Sequence, residues 1–140
     1  MNKAVIMENE KSKILKSADY NFIFDKTSGF FARWGKTKED DPIWSPFGPE
    51  IVDIEISEVC HGVPNIGVCK FCYKSNTPNG RNMSFDTFKK VFDKLPKATC
   101  TQIAFGIGDL PHRGTFGEWA GGNPDMWNIF EYSRKNGIIP

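Results

Sequence analysis

Glu50-Ile51-Val52-Asp53-Ile54-Glu55-Ile56-Ser57 is the stretch on which the fold turns. It alternates strictly, with Ile54 and Ile56 on one face and Asp53, Glu55 and Ser57 on the other, which predicts a β-strand with one apolar and one polar face. Downstream the pattern runs loop, helix, strand, loop, helix. Ser84 is a good N-cap for a helix to about residue 95, whose apolar stripe is Phe85, Phe88, Val91, Phe92 and Leu95, and Pro96 ends it. Residues 101–105 form a second short strand, with Ile103 and Phe105 set against Gln102, Ala104 and Gly106. Pro124 suits the first turn of a last helix, which stops near Asn136 with Gly137 as its C-cap. Strands alternating with helices imply βαβ units and parallel strands. A doubly wound sheet is covered on both faces and its strands read as continuous apolar runs. A polar or small second face instead favours a barrel-like sheet with a wet lumen.

Upstream, residues 1–18 are polar and lysine-rich and predict a mobile arm or a loose helix. Tyr20-Asn21-Phe22-Ile23-Phe24 and Phe30-Phe31-Ala32-Arg33-Trp34 flank the turn-forming Asp25-Lys26-Thr27-Ser28-Gly29, so a β-hairpin is expected. Residues 35–49 contain Pro42, Pro46, Gly48 and Pro49 and read as a connector. The organisation is thus an extension over 1–49 and an α/β core over 50–140, whose last residues begin a third strand.

The 140 residues suit one domain of ordinary size. A net charge of +1 provides no strong field for nucleic acid or anionic lipid, which leaves a small molecule or a protein as partner. Twelve Phe, four Trp and three Tyr argue for a packed core rather than disorder. The first residues hold no apolar run of signal-peptide length, and no window approaches a membrane span. The expected address is cytoplasmic, where thiols stay reduced and clustered cysteines bind metal more often than they pair.

Three of the four cysteines form Cys60-x8-Cys69-x2-Cys72 in the loop after the first strand. This loop, 58–83, and the loop 106–123 both follow C-terminal ends of parallel strands, where α/β folds place their sites. Three thiolates around an iron–sulfur cluster leave one iron without a protein ligand. A structural zinc site is the alternative, with His61 or Cys100 as fourth ligand, although no second Cys-x2-Cys or His pair stands at the usual spacing. Cys100 otherwise packs as a small buried residue at a strand start, and His61 and His112 read as solvated loop residues. Trp119 and Trp127 are packing residues. Gly106-Ile107-Gly108-Asp109 fails the dinucleotide fingerprint, because Pro111 stands where its third glycine belongs.

The cysteine loop resembles that of the radical S-adenosylmethionine (radical SAM) superfamily. There a strand leads into three cysteines with an aromatic residue just before the last, as Phe71 stands before Cys72. Cys69 and Cys72 match the closing pair, and Cys60 matches the first ligand at a longer spacing than usual. A Gly-Gly-Glu-like segment ends the family's second strand and binds the amino end of the methionine. Gly106-Ile107-Gly108-Asp109 stands at that place, with Asp109 for the acid. The resemblance implies the first two βα units of a partial barrel. It implies a [4Fe–4S] cluster on Cys60, Cys69 and Cys72, and S-adenosyl-L-methionine bound near Phe71, Gly106, Gly108 and Asp109. It further implies reductive cleavage to a 5′-deoxyadenosyl radical, hydrogen abstraction from a substrate the sequence does not name, and an external electron donor. Glu55, and behind it Asp53 and Ser57, would face the cavity above the cluster. Two βα units are fewer than the family's core contains, which implies a further segment, a second chain or an oligomer to complete the barrel. Other outcomes are a non-catalytic iron–sulfur remnant and a zinc-stabilised α/β interaction module. Residues 111–120 have no counterpart in the family pattern.

Overall fold

A computed structural model of the chain describes residues 3–63, 65–113 and 119–140. Strands β1 (Val5–Glu8), β2 (Ser12–Lys16), β3 (Asn21–Asp25) and β4 (Phe31–Trp34) form an antiparallel sheet in sequence order. The β3–β4 hairpin is the expected one, with Phe24 opposite Phe31 and Asn21 opposite Trp34. Its turn is tied by Asp25 Oδ1, which accepts bonds from the Thr27 and Ser28 amides and the Ser28 hydroxyl. These bonds, the Ser28 amide foremost, hold the Asp25 carboxyl below its ordinary range.

Residues 1–18 overturn the expectation of an arm or loose helix, because 5–8 and 12–16 are paired strands. Asn9 Oδ1 accepts from the Lys11 and Ser12 amides and closes the turn between them. The inward residues of β2 are Lys13 and Leu15, both essentially fully buried. A lysine in an inward position disguised the two-residue period. Its ammonium donates to the carbonyls of Lys97 (2.6 Å) and Cys100 (3.2 Å) and lies 3.8 Å from Glu8 Oε1. Leu15, Tyr20, Phe22 and Phe24 form the core here, with Ala4, Phe31, Phe47 and Ile139 packed against it.

The remaining elements are β5 (Ile51–Glu55), α1 (Phe85–Phe92), β6 (Gln102–Gly106), the two-residue strands β7 (His112–Arg113) and β8 (Trp119–Ala120), and α2 (Met126–Lys135). Strands β5 and β6 are hydrogen-bonded neighbours. They run the same way, since Thr101 N donates to Glu50 O at one end and Ile56 N to Gly106 O at the other. The described residues are therefore mixed α/β, with a four-stranded antiparallel sheet, a parallel pair, a short antiparallel pair and two helices. The expected start of a third strand is present. Ile139 bridges Gln102 in parallel, and Ile103 N donates to Ile139 O while Ile139 N donates to Thr101 O.

Helix α1 starts where the Ser84 hydroxyl accepts from Thr87 N, but it ends at the Asp93 C-cap, before Leu95. Phe88 and Phe92 are fully buried. Phe88 lies 5.8 Å from Phe105, Phe105 lies 4.9 Å from Phe130, and Phe92 lies 5.3 Å from Tyr132, so both helices cover the apolar face of β6. Gly137, at φ +78°, stops α2 with its amide on Arg134 O. His112 pairs in β7 with Ala120 of β8, whereas residues 114–118 of the 111–120 segment lie outside the described residues. Two compact units emerge, one of residues 1–52, 95–103 and 134–140, the other of 53–94 and 104–133. Among the described residues, no helix is long and apolar enough to cross a membrane.

Candidate functional site

Beyond β5 the chain continues extended to Cys60, bordered by the returning limb of its own loop. Met83 N donates to Ile56 O, Glu58 N to Arg81 O, Thr77 N to Glu58 O and Cys60 N to Thr77 O. Asn123, only 1 % exposed, ties the two limbs together. Its Nδ2 donates to Ile56 O at 2.6 Å and Met83 O at 2.8 Å, and its Oδ1 accepts from Asp125 N.

The loop after β6 closes on the other side of this segment. Asp109 N donates to Val59 O at 2.8 Å. A Cβ at Gly108 would overlap the Val59 carbonyl and lie 3.2 Å from Cys60 Cβ, so this position requires glycine for close approach. Asp109 Oδ2 accepts the His61 amide at 2.9 Å and lies 2.6 Å from His61 Nδ1. Burial raises the Asp109 carboxyl, but bonds from the His61 ring and amide and from the Cys60 thiol outweigh it and hold the group below its ordinary value. Gly108 and Asp109, expected at a ligand, here clasp the cysteine loop.

The long first spacing is folded locally. Val63 N donates to Gly67 O at 3.1 Å and Gly67 N to Val63 O at 2.9 Å, so this excursion leaves and rejoins the loop at one point. Gly62, at φ +79°, abuts the Gly67 carbonyl so closely that a Cβ would collide with it. Cys72 N then donates to Cys69 O, and Ser75, at φ +55°, donates its amide to Cys72 O. The amides of Asn76, Lys74 and Ser75 also converge on the Cys72 thiol and lower its pKa, which favours thiolate.

Cys60 and Cys72 are half-buried, Cys69 is exposed, and Cys100 is buried, its thiol pushed up by that burial. Among the described residues, no three His, Cys, Asp or Glu side chains converge closely enough to hold a metal ion. The loop thus carries Cys60, Cys69 and Cys72 without gathering them into one ligand set. Phe71 is 89 % exposed.

A cavity of about 390 Å³ opens beside the parallel pair, lined by Asp53, Glu55, Tyr73, Lys74, Phe105 and Gly106 among others. Glu55 and Asp53 stand at it. Ser57 is not among the residues lining that cavity; it is 1 % exposed, its hydroxyl accepts from Val59 N, and it lines a second cavity with Glu55, Glu58 and Arg81. Lys74 is the residue that sequence reasoning missed. Its Nζ lies 3.3 Å from Glu55 Oε2, and a Cβ at Gly106 would collide with it. No motif marks Lys74; only the pairing of β5 with β6 brings Glu55 and Gly106 to it.

Comparison with known protein families, curated proteins and solved structures finds no match.

The donor set fits a thiolate-bound metal in kind. Three thiols share one loop, backbone amides favour the thiolate of one, and Asn76 Oδ1 is a buried acceptor without a partner among the described residues. Metal binding to such a loop has to draw the thiols together, as metal and local folding are commonly coupled.

Proposed function

We propose that this chain carries the cofactor site of a radical SAM enzyme, with Cys60, Cys69 and Cys72 as ligands of a [4Fe–4S] cluster. The reading includes a partial barrel of which β5, α1, β6 and α2 are the first two units, completed by further strands. When bound, the cluster and S-adenosyl-L-methionine supply reductive formation of a 5′-deoxyadenosyl radical that takes a hydrogen atom from a substrate. The observation that carries the reading is the clasp of Gly108 and Asp109 onto Val59, Cys60 and His61. It joins the loops that follow two parallel strands at the first cysteine, the place where α/β folds build their sites.

The chain's own residues then have definite tasks. Amides of the 74–76 turn stabilise negative charge on Cys72, as hydrogen bonds to cluster sulfur tune such centres. Asp109 fixes the backbone beside Cys60 by accepting the His61 amide and donating its own amide to Val59 O. Glu55 and Asp53 present carboxylates to the cavity beside β6, where a polar ligand would be oriented.

Anaerobic reconstitution with iron and sulfide, followed by metal analysis and visible absorption with and without S-adenosyl-L-methionine, tests the reading. Four irons per chain, a spectrum altered by the cofactor, and 5′-deoxyadenosine after reduction are the expected results. A colourless protein with one zinc sinks it. That outcome has its own support in the carboxylate–histidine pairing of Asp109 with His61, an arrangement common around zinc.

A further inference from the structure

We infer that the outer edge of β1 pairs with β1 of a second copy of this chain, antiparallel about a two-fold axis at Ile6, which joins two four-stranded sheets into one of eight strands. Among the described residues β1 has β2 as its only strand neighbour. Asn9 N donates to Ser12 O, and the alternation of an antiparallel ladder then turns the backbone groups of Val5 and Met7 toward β2 and those of Ile6 and Glu8 away from it. An edge of this kind is a template for another strand, and natural sheets blunt it with lysine, proline or a bulge. Val5-Ile6-Met7-Glu8 contains neither lysine nor proline, and its register with β2 runs without a bulge. Its apolar residues Val5, Ile6 and Met7 are 60 %, 41 % and 43 % exposed. The edge is nonetheless held in place, since Ala4 packs against the core of Leu15, Tyr20, Phe22 and Phe24, and Lys26 Nζ lies 2.7 Å from Glu8 Oε1.

The sequence of the strand favours its own copy as the occupant. Opposed residues on two such edges must turn their backbone groups the same way, so only every second register is open. With Ile6 on the axis, Val5 stands opposite Met7 of the other copy twice over, and Glu8 opposite Ala4. A shift to Val5 on the axis sets Met7 against Lys3, and a shift to Met7 sets Ile6 against Glu8. Of the three, the Ile6 register alone sets each of Val5, Ile6 and Met7 against another of them, as favourable cross-strand pairing requires. It also extends a row already present. Met7, Ile14, Ile23 and Ala32 stand opposite one another from β1 to β4 on the face away from Leu15, and Val5 of the other copy continues that row. A net charge of +1 opposes the approach of two copies only weakly. A strand of four residues buries a small area, so the dimer is a weak one.

Sedimentation equilibrium of the 140-residue chain under reducing conditions tests the pairing. The expected result is a monomer at about 10 µM that is mostly dimer at about 1 mM, with a Kd on the order of 100 µM. Ile6→Pro removes an amide that faces away from β2 and is expected to weaken the dimer about tenfold or more, with the thermal midpoint of the dilute chain nearly unchanged. Ile6→Lys, which brings two like charges together at the axis, does the same if the proline variant does not fold. Val5→Lys and Met7→Glu each weaken association, and an equimolar mixture of the two variants recovers it several-fold, because the new charges then face each other across the pair. A monomer throughout, or a dimer that Ile6→Pro and Ile6→Lys leave intact, overturns the proposal. A mixture that associates no more tightly than either variant alone overturns the two-fold at Ile6.

Discussion

Asp109 Oδ2 stands 2.6 Å from His61 Nδ1 and also accepts the His61 amide, so one carboxylate oxygen fixes both the ring and the backbone of the residue after Cys60. Replacement by Asn keeps an acceptor but removes the charge. Asp109→Asn is expected to lose about 1–2 kcal/mol and to speed hydrogen exchange at the His61 amide several-fold. Since the folded carboxyl lies below its ordinary value, its contribution is present above that value and is lost as pH falls through the lowered one. Acid titration of His61 amide protection in wild type and variant checks both statements; identical profiles would show that the charge does not hold the clasp.

Gly108→Ala places a methyl group into the Val59 carbonyl. The loops must part, and a loss of about 2 kcal/mol or more is expected, as for overpacking of a tight site. Urea unfolding measures it. Wild-type stability in this variant would mean that the loops separate without cost.

Asn123 answers two carbonyls and an amide at once. Asn123→Ala removes all three bonds, Ile56 O keeping only the one from Met83 N, and is expected to destabilise by about 1–3 kcal/mol. Asn123→Asp, which keeps the acceptor but loses both donors, recovers little. Thermal melts of the two variants decide the point.

Lys13 carries a pH dependence of determinate sign. Burial lowers its pKa from the ordinary 10.5, and Glu8 only partly offsets this. Between the lowered value and 10.5 the unfolded chain binds more protons than the folded one, so stability rises with pH across that window. Lys13→Met abolishes that rise and, by removing the two bonds its ammonium donates to the Lys97 and Cys100 carbonyls, costs about 1–3 kcal/mol at neutral pH. Urea midpoints measured from neutral pH upward show whether the rise vanishes with the ammonium.

The cysteines should differ in alkylation by iodoacetamide. Cys69 is exposed and Cys72 favours thiolate, so both react early, with Cys72 active at lower pH, whereas Cys100 waits for unfolding. Metal loading is expected to protect Cys60, Cys69 and Cys72 together. Mass spectrometry of the adducts reads the order; protection of Cys100 alone would contradict the proposed ligand set.

Legibility followed the strength of local signals. Ser84 and the phenylalanines at 85, 88 and 92 announce α1, and the aromatic runs around Asp25 announce β3 and β4, because cap, turn and period all act within a few residues. Strands β1 and β2 escape such a reading because burial of Lys13 depends on carbonyls 84 and 87 residues away. At the site, Cys60, Glu55 and Asp109 stand out by type and position. Lys74 and Asn123 do not, since each owes its role to the register of distant segments.

The bonds exchanged by Val63 and Gly67 make residue counting a poor ruler for this loop. Those two positions form a closed base within the stretch between Cys60 and Cys69. A residue inserted beyond that base is expected to change the count between Cys60 and Cys69 more than their separation in space. That base is a place for attaching a tag or a probe beside the thiols.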